Sequence, residues 1–241
     1  MKAKLENPAL LSKAVELISE LVTEVRIKAN EFGMSITAID PANVAMVSFK
    51  IPKSIFSQFE ADNEILGVNL DNLKKILKRC GIASNLILER EENMLKIQIE
   101  DRIKRNFTLN LIDIEGEEKN LPNLDYSARV ELNSLDMTAS IEDCAVVADA
   151  CSFIIKDGKF IIEAKGINSA RSEFSTDEAK IDAEECKARY SLEYLQKFSK
   201  ASKLSEKTIL HFANDHPLRI DIRTANMEFN FILAPRVETE D

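Results

Sequence analysis

Residues 70–79 read LDNLKKILKR, and 122 positions further on residues 192–201 read LEYLQKFSKA. In both, apolar residues return every three or four positions, the spacing of one helical face, and basic residues fill the turns between them. In the first stretch Leu70, Leu73, Ile76, Leu77 and Cys80 share one stripe, while Lys74, Lys75, Lys78 and Arg79 take the opposite side. In the second, Leu192, Leu195, Phe198 and Ser199 face inward, Lys197 and Lys200 project outward, and Lys203 follows close by. One basic helix on a surface is ordinary; two at matched places ask for a common cause.

The match extends outward from both stretches. At the same offset NFTLNLIDIE (106–115) lies over EFNFILAPRV (228–237), with Phe107 on Phe229, Leu109 on Phe231 and Leu111 on Leu233. MLKIQIE (94–100) falls on PLRIDIR (217–223), and EFGMSITAID (31–40) falls on KDGKFIIEAK (156–165) with Gly33 over Gly158. Four agreements in order make the chain an internal duplication. Each half opens with a helix. The first is predicted from Pro8 to about residue 23, with Leu10, Ala14, Leu17, Ile18, Leu21 and Val25 on its stripe. The second runs from Leu135 to about residue 148. Alternating strands follow each, then the basic helix, then three more strands. The predicted class is α+β, as two similar domains with antiparallel sheets and two helices each. Their predicted spans are 1–112 and 127–241, joined by DIEGEEKNLPNLDY (113–126). That connection is polar, marked by Gly and Pro, and long enough to carry function.

Composition narrows the function. The 241 residues carry a formal charge of −9, which argues against a protein coating nucleic acid over its whole surface. With no Trp and only three Tyr, an aromatic cage is disfavoured. The opening MKAKLENPALLSK lacks the apolar core of a secretory signal, and no uncharged run approaches the roughly 18 residues of a membrane span. A soluble, cytoplasmic, nucleoid-associated protein without membrane contact is expected. Cys80, Cys144, Cys151 and Cys186 show no C-x-x-C spacing and read as buried, reduced thiols. His211 and His216 read as structural, Asp40, Asp113 and Asp149 belong to different elements, and no phosphate-cradling glycine motif is present. Neither a catalytic centre nor a metal or other cofactor is expected.

Like charges along one helix face repel by a few tenths of a kcal/mol per pair (~0.2–0.5). An anionic partner would offset that cost. Duplex DNA presents about one charge per 1.7 Å of axis, and helices of this kind can meet phosphates without reading bases. Contact should then be sequence-independent and sensitive to salt. A saddle-shaped, repeat-built transcription factor is the rival, since such proteins bend DNA with apolar wedges on a sheet face. Here Phe107, Phe229 and Phe231 sit at alternating, core-like positions instead.

LGVNLDNLKKILK, TAIDPANVAMVSF and the closing FILAPRVETED together resemble the sliding clamp family of proliferating cell nuclear antigen, most of all its archaeal members. The resemblance implies a pseudo-sixfold ring of three two-domain subunits, helices inside and sheets outside, encircling duplex DNA and catalysing nothing. It implies partners that dock through short peptides: DNA polymerase, flap endonuclease, DNA ligase and the clamp loader. It places Lys13, Lys74, Lys75, Lys78, Arg79, Lys197, Lys200 and Lys203 toward DNA. It assigns the docking pocket to Ile39, Asn43, Val44, Met46, Leu121, Tyr126, Pro217, Ile232, Ala234 and Pro235, with strand-like pairing of the peptide along the tail. Subunits would join through KRNFTLN (104–110) and ARSEFSTD (170–177), both of which read as edge strands, with Arg105, Phe107, Leu109, Arg171, Glu173 and Phe174 at the seam. Half a dozen shared backbone bonds at about 0.5–1.5 kcal/mol each would hold it, and Phe107 and Phe174 would add apolar contact.

The chain departs from that pattern in places. LNSLDMTASIEDCAVVA (132–148) has no Lys or Arg, and carries Asp136, Glu142 and Asp143. Lys13 is accompanied by Glu16 and Glu20, Asn43 stands where some relatives have His, and Lys119 replaces an apolar linker residue. A uniformly positive channel is therefore not expected, and a ring built from three different, paralogous subunits is the variant arrangement.

Overall fold

The computed structural model describes residues 1–115 and 119–237; three residues of the linker (116–118) and the end of the tail (238–241) lie outside the described residues. The chain divides into two compact units. Met1–Pro41 and Val47–Leu121 form the first, and Ala42–Met46 and Pro122–Asp241 the second.

The first unit contains β1 (Lys2–Leu5), α1 (Ala9–Ile18), β2 (Glu24–Asn30), β3 (Gly33–Ile39), β4 (Ala45–Pro52, its first two residues grouping with the second unit), β5 (Gln58–Glu60) and β6 (Glu64–Asn69). It continues through α2 (Leu70–Leu77), β7 (Asn85–Glu91), β8 (Met94–Glu100) and β9 (Lys104–Asn110). Its strands lie in the orders β5-β1-β7-β8-β9 and β4-β3-β2-β6. The second unit contains β10 (Ala128–Asn133), α3 (Ser134–Ala145), β11 (Ala150–Lys156), β12 (Lys159–Lys165), β13 (Ser169–Phe174), β14 (Ala179–Ala183) and β15 (Cys186–Ser191). After them come α4 (Leu192–Ser202), β16 (Lys207–Phe212), β17 (Leu218–Arg223) and β18 (Glu228–Leu233). The orders are β14-β10-β16-β17-β18 and β13-β12-β11-β15, strand for strand those of the first unit. The trios β7-β8-β9 and β16-β17-β18, each paired through its middle strand, are antiparallel meanders. This is the α+β duplication expected from the repeat.

The matched glycines work at equivalent hairpins. Gly33 follows the β2–β3 turn at φ 138°, and an added Cβ would fall 2.2 Å from the Ile51 carbonyl oxygen. Asp157 and Gly158 turn β11 into β12 with φ of 50° and 72°, the left-handed pair of a tight hairpin.

Helix edges differ from the sequence reading. Helix α1 stops at Ile18, and its inward face is Leu11, Ala14, Val15, Leu17 and Ile18; Leu10 is half-exposed and Val25 belongs to β2. Helix α2 ends at Leu77 with Lys78 as its C-cap, so Arg79 and Cys80 lie in the following turn. Helix α3 ends at Ala145, short of residue 148. The cores differ in chemistry. Leu5, Ile18, Phe49, Ile51 and Leu66 fill the first unit, whereas Phe153 in the second meets the rings of Phe160, Tyr190 and Phe212 at centroid distances of 5.4–6.0 Å. Cys144, Cys151 and Cys186 are buried thiols, but Cys80 is only half-buried.

Candidate nucleic-acid interface

Three helices leave a strand without a loop. Strand β6 ends at Asn69 and α2 begins at Leu70; β10 ends at Asn133 and α3 begins at Ser134; β15 ends at Ser191 and α4 begins at Leu192. The Asn69 side chain accepts from the Asn72 amide at 3.1 Å, and the Asn133 side chain from the Leu135 and Asp136 amides, which satisfies first-turn donors. The first amides of the basic helices are held alike. Leu70 N–H donates to the Thr23 carbonyl at 2.8 Å, and Leu192 N–H to the Asp149 carbonyl at 2.9 Å. Leu70, Leu73 and Leu77 are buried on α2, as are Leu192, Leu195, Phe198 and Ser199 on α4. The basic residues therefore project from anchored helices.

Acids from the same helix pairs meet those basic residues. Lys13 lies 2.8 Å from one Glu16 oxygen and Lys78 3.3 Å from the other. Lys13 first, and Lys78 with it, hold Glu16 below the usual carboxylate range against the smaller opposing effect of burial. Lys74 lies 2.9 Å from Asp71 and 3.0 Å from the Ser19 hydroxyl. Lys197 lies 2.9 Å from Glu193, with its ammonium 5.1 Å from the Tyr194 ring centroid. Lys203 lies 3.8 Å from Glu142. Lys200 is exposed on α4, while Lys75 and Arg79 are exposed without an ion pair among the described residues. Besides any anionic partner, the helices thus carry part of their own compensation. A surface pair such as Lys13–Glu16 contributes only about 0.2–1 kcal/mol, so such lysines can exchange partners.

The edge strands stand where the sequence reading put them. Strand β9 closes one end of its sheet and β13 one end of its own. On β9 Phe107 is half-buried opposite Ile97, and Leu109 is buried. Arg105 pairs with Asp101 and donates to the Arg79 carbonyl at 3.0 Å, tying the edge to the basic turn. On β13 Arg171 lies 2.8 Å from both Glu163 and Glu173. Phe174 differs from expectation. It is 6% exposed and stacks on Phe160 at 5.7 Å, because its register position points into its own sheet's core. Its ring is not available as apolar contact at a seam.

The family model described as the N-terminal domain of proliferating cell nuclear antigen matches residues 1–120, and that of the C-terminal domain matches 120–237. The chain belongs to the proliferating cell nuclear antigen family. A DNA polymerase sliding clamp of Pyrococcus horikoshii is 36% identical over 97% of this chain and 97% of its own length. DNA polymerase sliding clamp 1 of Thermococcus kodakarensis is 37% identical over 91% and 92%. The crystal structure of proliferating cellular nuclear antigen from Entamoeba histolytica covers 98% of both chains with a TM-score of 0.89 at 24% identity, a likeness of fold. The curated relatives are archaeal, as the resemblance implied.

The residues that the resemblance assigns to docking fall in both units. In the first unit Ile39 lines a cavity of about 240 Å³ with Thr37, Ala38, Ile114 and Lys119, and Leu121 is half-buried. In the second unit Asn43 adopts φ 56°, a left-handed turn that Asn tolerates well, which gives its presence there a backbone reason. Val44 accepts from the Ala234 amide at 2.9 Å, Pro217 and Pro235 are half-buried, and Met46 and Ile232 are buried. The Tyr126 ring lies 5.6 Å from that of His211 and 5.5 Å from that of His216, and burial pushes its phenol up to about 12. The Arg236 amide donates to the Arg189 carbonyl at 2.7 Å, so two tail amides are already bonded within the chain. Tail residues 238–241 fall outside the described residues.

His211 has a structural place, 3.3 Å from Asp221. Burial alone would raise Asp221, but hydrogen bonds from His211, Arg219 and Asn230 outweigh it and bring the carboxyl to about 2. Phe229 and Phe231 are buried and stack at 5.6 Å, which leaves them unable to wedge between bases. Among the described residues no group of three or more His, Cys, Asp or Glu is placed to hold a metal, and no helix is long and apolar enough to cross a membrane. Sequence reasoning missed the pairing of Glu16 and Glu142 with lysines of the next helix. Only the intrahelical pairs Lys13–Glu16, Asp71–Lys74 and Glu193–Lys197, at i, i+3 and i, i+4 spacing, leave a signal in the sequence.

Proposed function

We propose that the protein is a DNA polymerase sliding clamp. It encircles duplex DNA, catalyses nothing itself, and tethers replication and repair enzymes, raising their effective concentration at the template. The carrying observation is the strand-to-helix junction built twice, each copy turning basic residues outward from an anchored helix. The sliding clamp relatives, similar over nearly their full length, support the same reading. In it Lys13, Lys74, Lys75, Lys78, Arg79, Lys197, Lys200 and Lys203 meet phosphates, with Lys75 and Arg79 supplying the cations least occupied by acids of the chain. Three subunits, identical or paralogous, close a ring as β9 of one pairs with β13 of the next. Two edge strands of one chain suit that role, because backbone groups on their open side await a partner. DNA polymerase, flap endonuclease, DNA ligase and the clamp loader dock through short peptides at Ile39, Asn43, Val44, Met46, Leu121, Tyr126, Pro217, Ile232, Ala234 and Pro235. The domains span 1–112 and 127–241, with 113–126 connecting them.

Retention on DNA tests the proposal. Loaded protein should stay on closed circular duplex and leave when the circle is cut, since topology and not affinity holds it. Equal retention on cut and closed DNA, or bending of A·T-rich sites, would overturn it.

A further inference from the structure

Each unit sets an acid of its first helix against the lysine that caps its second. Glu16 on α1 takes Lys13 at 2.8 Å through one oxygen and Lys78, the C-cap of α2, at 3.3 Å through the other. Glu142 on α3 lies 3.8 Å from Lys203, the C-cap of α4. Two halves with few identities have kept one cross-helix arrangement, while the intrahelical pairs Asp71–Lys74 and Glu193–Lys197 merely hold lysines along their own helices. None of these groups is shut from water: Glu16 is 35% exposed, Glu142 59%, Lys78 58% and Lys203 53%.

We propose that Glu16 and Glu142 are internal counter-ions that stand in for DNA phosphates, so that Lys13, Lys78 and Lys203 alternate between carboxylate and phosphate and the duplex is held loosely enough to slide. The inference rests on the clamp reading. A lysine that turns to a phosphate leaves its glutamate behind, and the bared carboxylate draws a cation from solution. That uptake offsets part of the counter-ion release that drives protein–DNA association. Contact with these lysines is then a near-even exchange, and the grip falls mainly to Lys75 and Arg79. Glu16 and Glu142 act here as positioning residues through the lysines and touch no DNA themselves.

The test compares full-length protein with the Glu16→Gln/Glu142→Gln variant on a short duplex, following log K against log salt concentration. The variant should bind more tightly at low salt, with a slope steeper by about 0.9 for each lysine that gains a phosphate. Adding Lys13→Gln, Lys78→Gln and Lys203→Gln should return the slope to its starting value. A Gln variant with unchanged slope, in a protein whose binding is weakened by Lys75→Glu/Lys197→Glu, overturns the counter-ion role and leaves the clamp standing. Absence of salt-sensitive duplex binding in the unaltered protein likewise overturns the counter-ion role; the clamp reading falls only if retention on closed circular DNA fails. Should the double variant unfold or assemble differently, Glu142→Gln alone carries the comparison, because that acid makes only the one long pair.

Discussion

Asp221 is a buried carboxylate whose charge is held by three donors: His211, Arg219 and Asn230. Its pKa is about 2 in the fold against about 3.9 in an unfolded chain. Between those values the unfolded state binds more protons, so the stabilisation is complete above roughly pH 5 and is lost as pH falls toward 2. The effect should amount to about 2 kcal/mol. Urea midpoints at neutral and acid pH check it: Asp221→Asn should show a shallower acid limb than the unaltered protein, and equal limbs would refute the assignment. Phe174 carries a second prediction. Because its ring packs on Phe160 inside its own unit, Phe174→Ala should cost about 3–5 kcal/mol of folding stability, measured by chemical unfolding. An unchanged midpoint with weakened assembly would return Phe174 to the seam. At this scale the sequence was least legible. Alternation along ARSEFSTD marks Phe174 as apolar and edge-borne, yet which face of the strand meets the core is set by β12, whose Phe160 lies opposite.

The elements were read more reliably than their ends. Period-two alternation located β3, β8 and β17, and 3.6-residue periodicity located α2 and α4. Strands β1, β5, β6, β10, β14 and β15 went unread. Some are short, like QFE, and others, such as CKARYS, mix charge into the pattern, so that pairing partners define them. On α1 the apolar positions are dense enough to draw more than one stripe, and packing chose Leu11 and Val15 over Leu10. Cross-helix ion pairs such as Glu16–Lys78 join residues 62 apart and leave no local trace. The basic helices are testable as elements. Lys75→Glu, Lys78→Glu, Lys197→Glu and Lys200→Glu together should weaken duplex binding and polymerase stimulation while leaving assembly mass unchanged. The salt slope should become shallower by about 0.9 for every phosphate that is no longer neutralised. Unimpaired stimulation would move the DNA contact elsewhere.

For the whole molecule, two identical sheet orders in one chain explain how a protein of net charge −9 can handle DNA: the duplication sets lysines of α2 and α4 at matched places, so a local basic surface arises although most of the chain's Lys and Arg lie elsewhere among its acids. Docking belongs to this scale. Exchanging Ile39, Leu121 and Pro235 for polar residues should abolish binding of a partner peptide by calorimetry and spare DNA retention; wild-type affinity would place the pocket elsewhere. The missing loop between β6 and α2, and between β15 and α4, has one more consequence. Without slack at those joints, the length of the strand sets the angular phase of the helix like the teeth of a gear. One extra residue after Asn69 or Ser191 would swing every lysine beyond it by about 100°, presenting leucines where cations had been. A single codon gained at either joint is therefore expected to turn the cations away from the surface they now occupy.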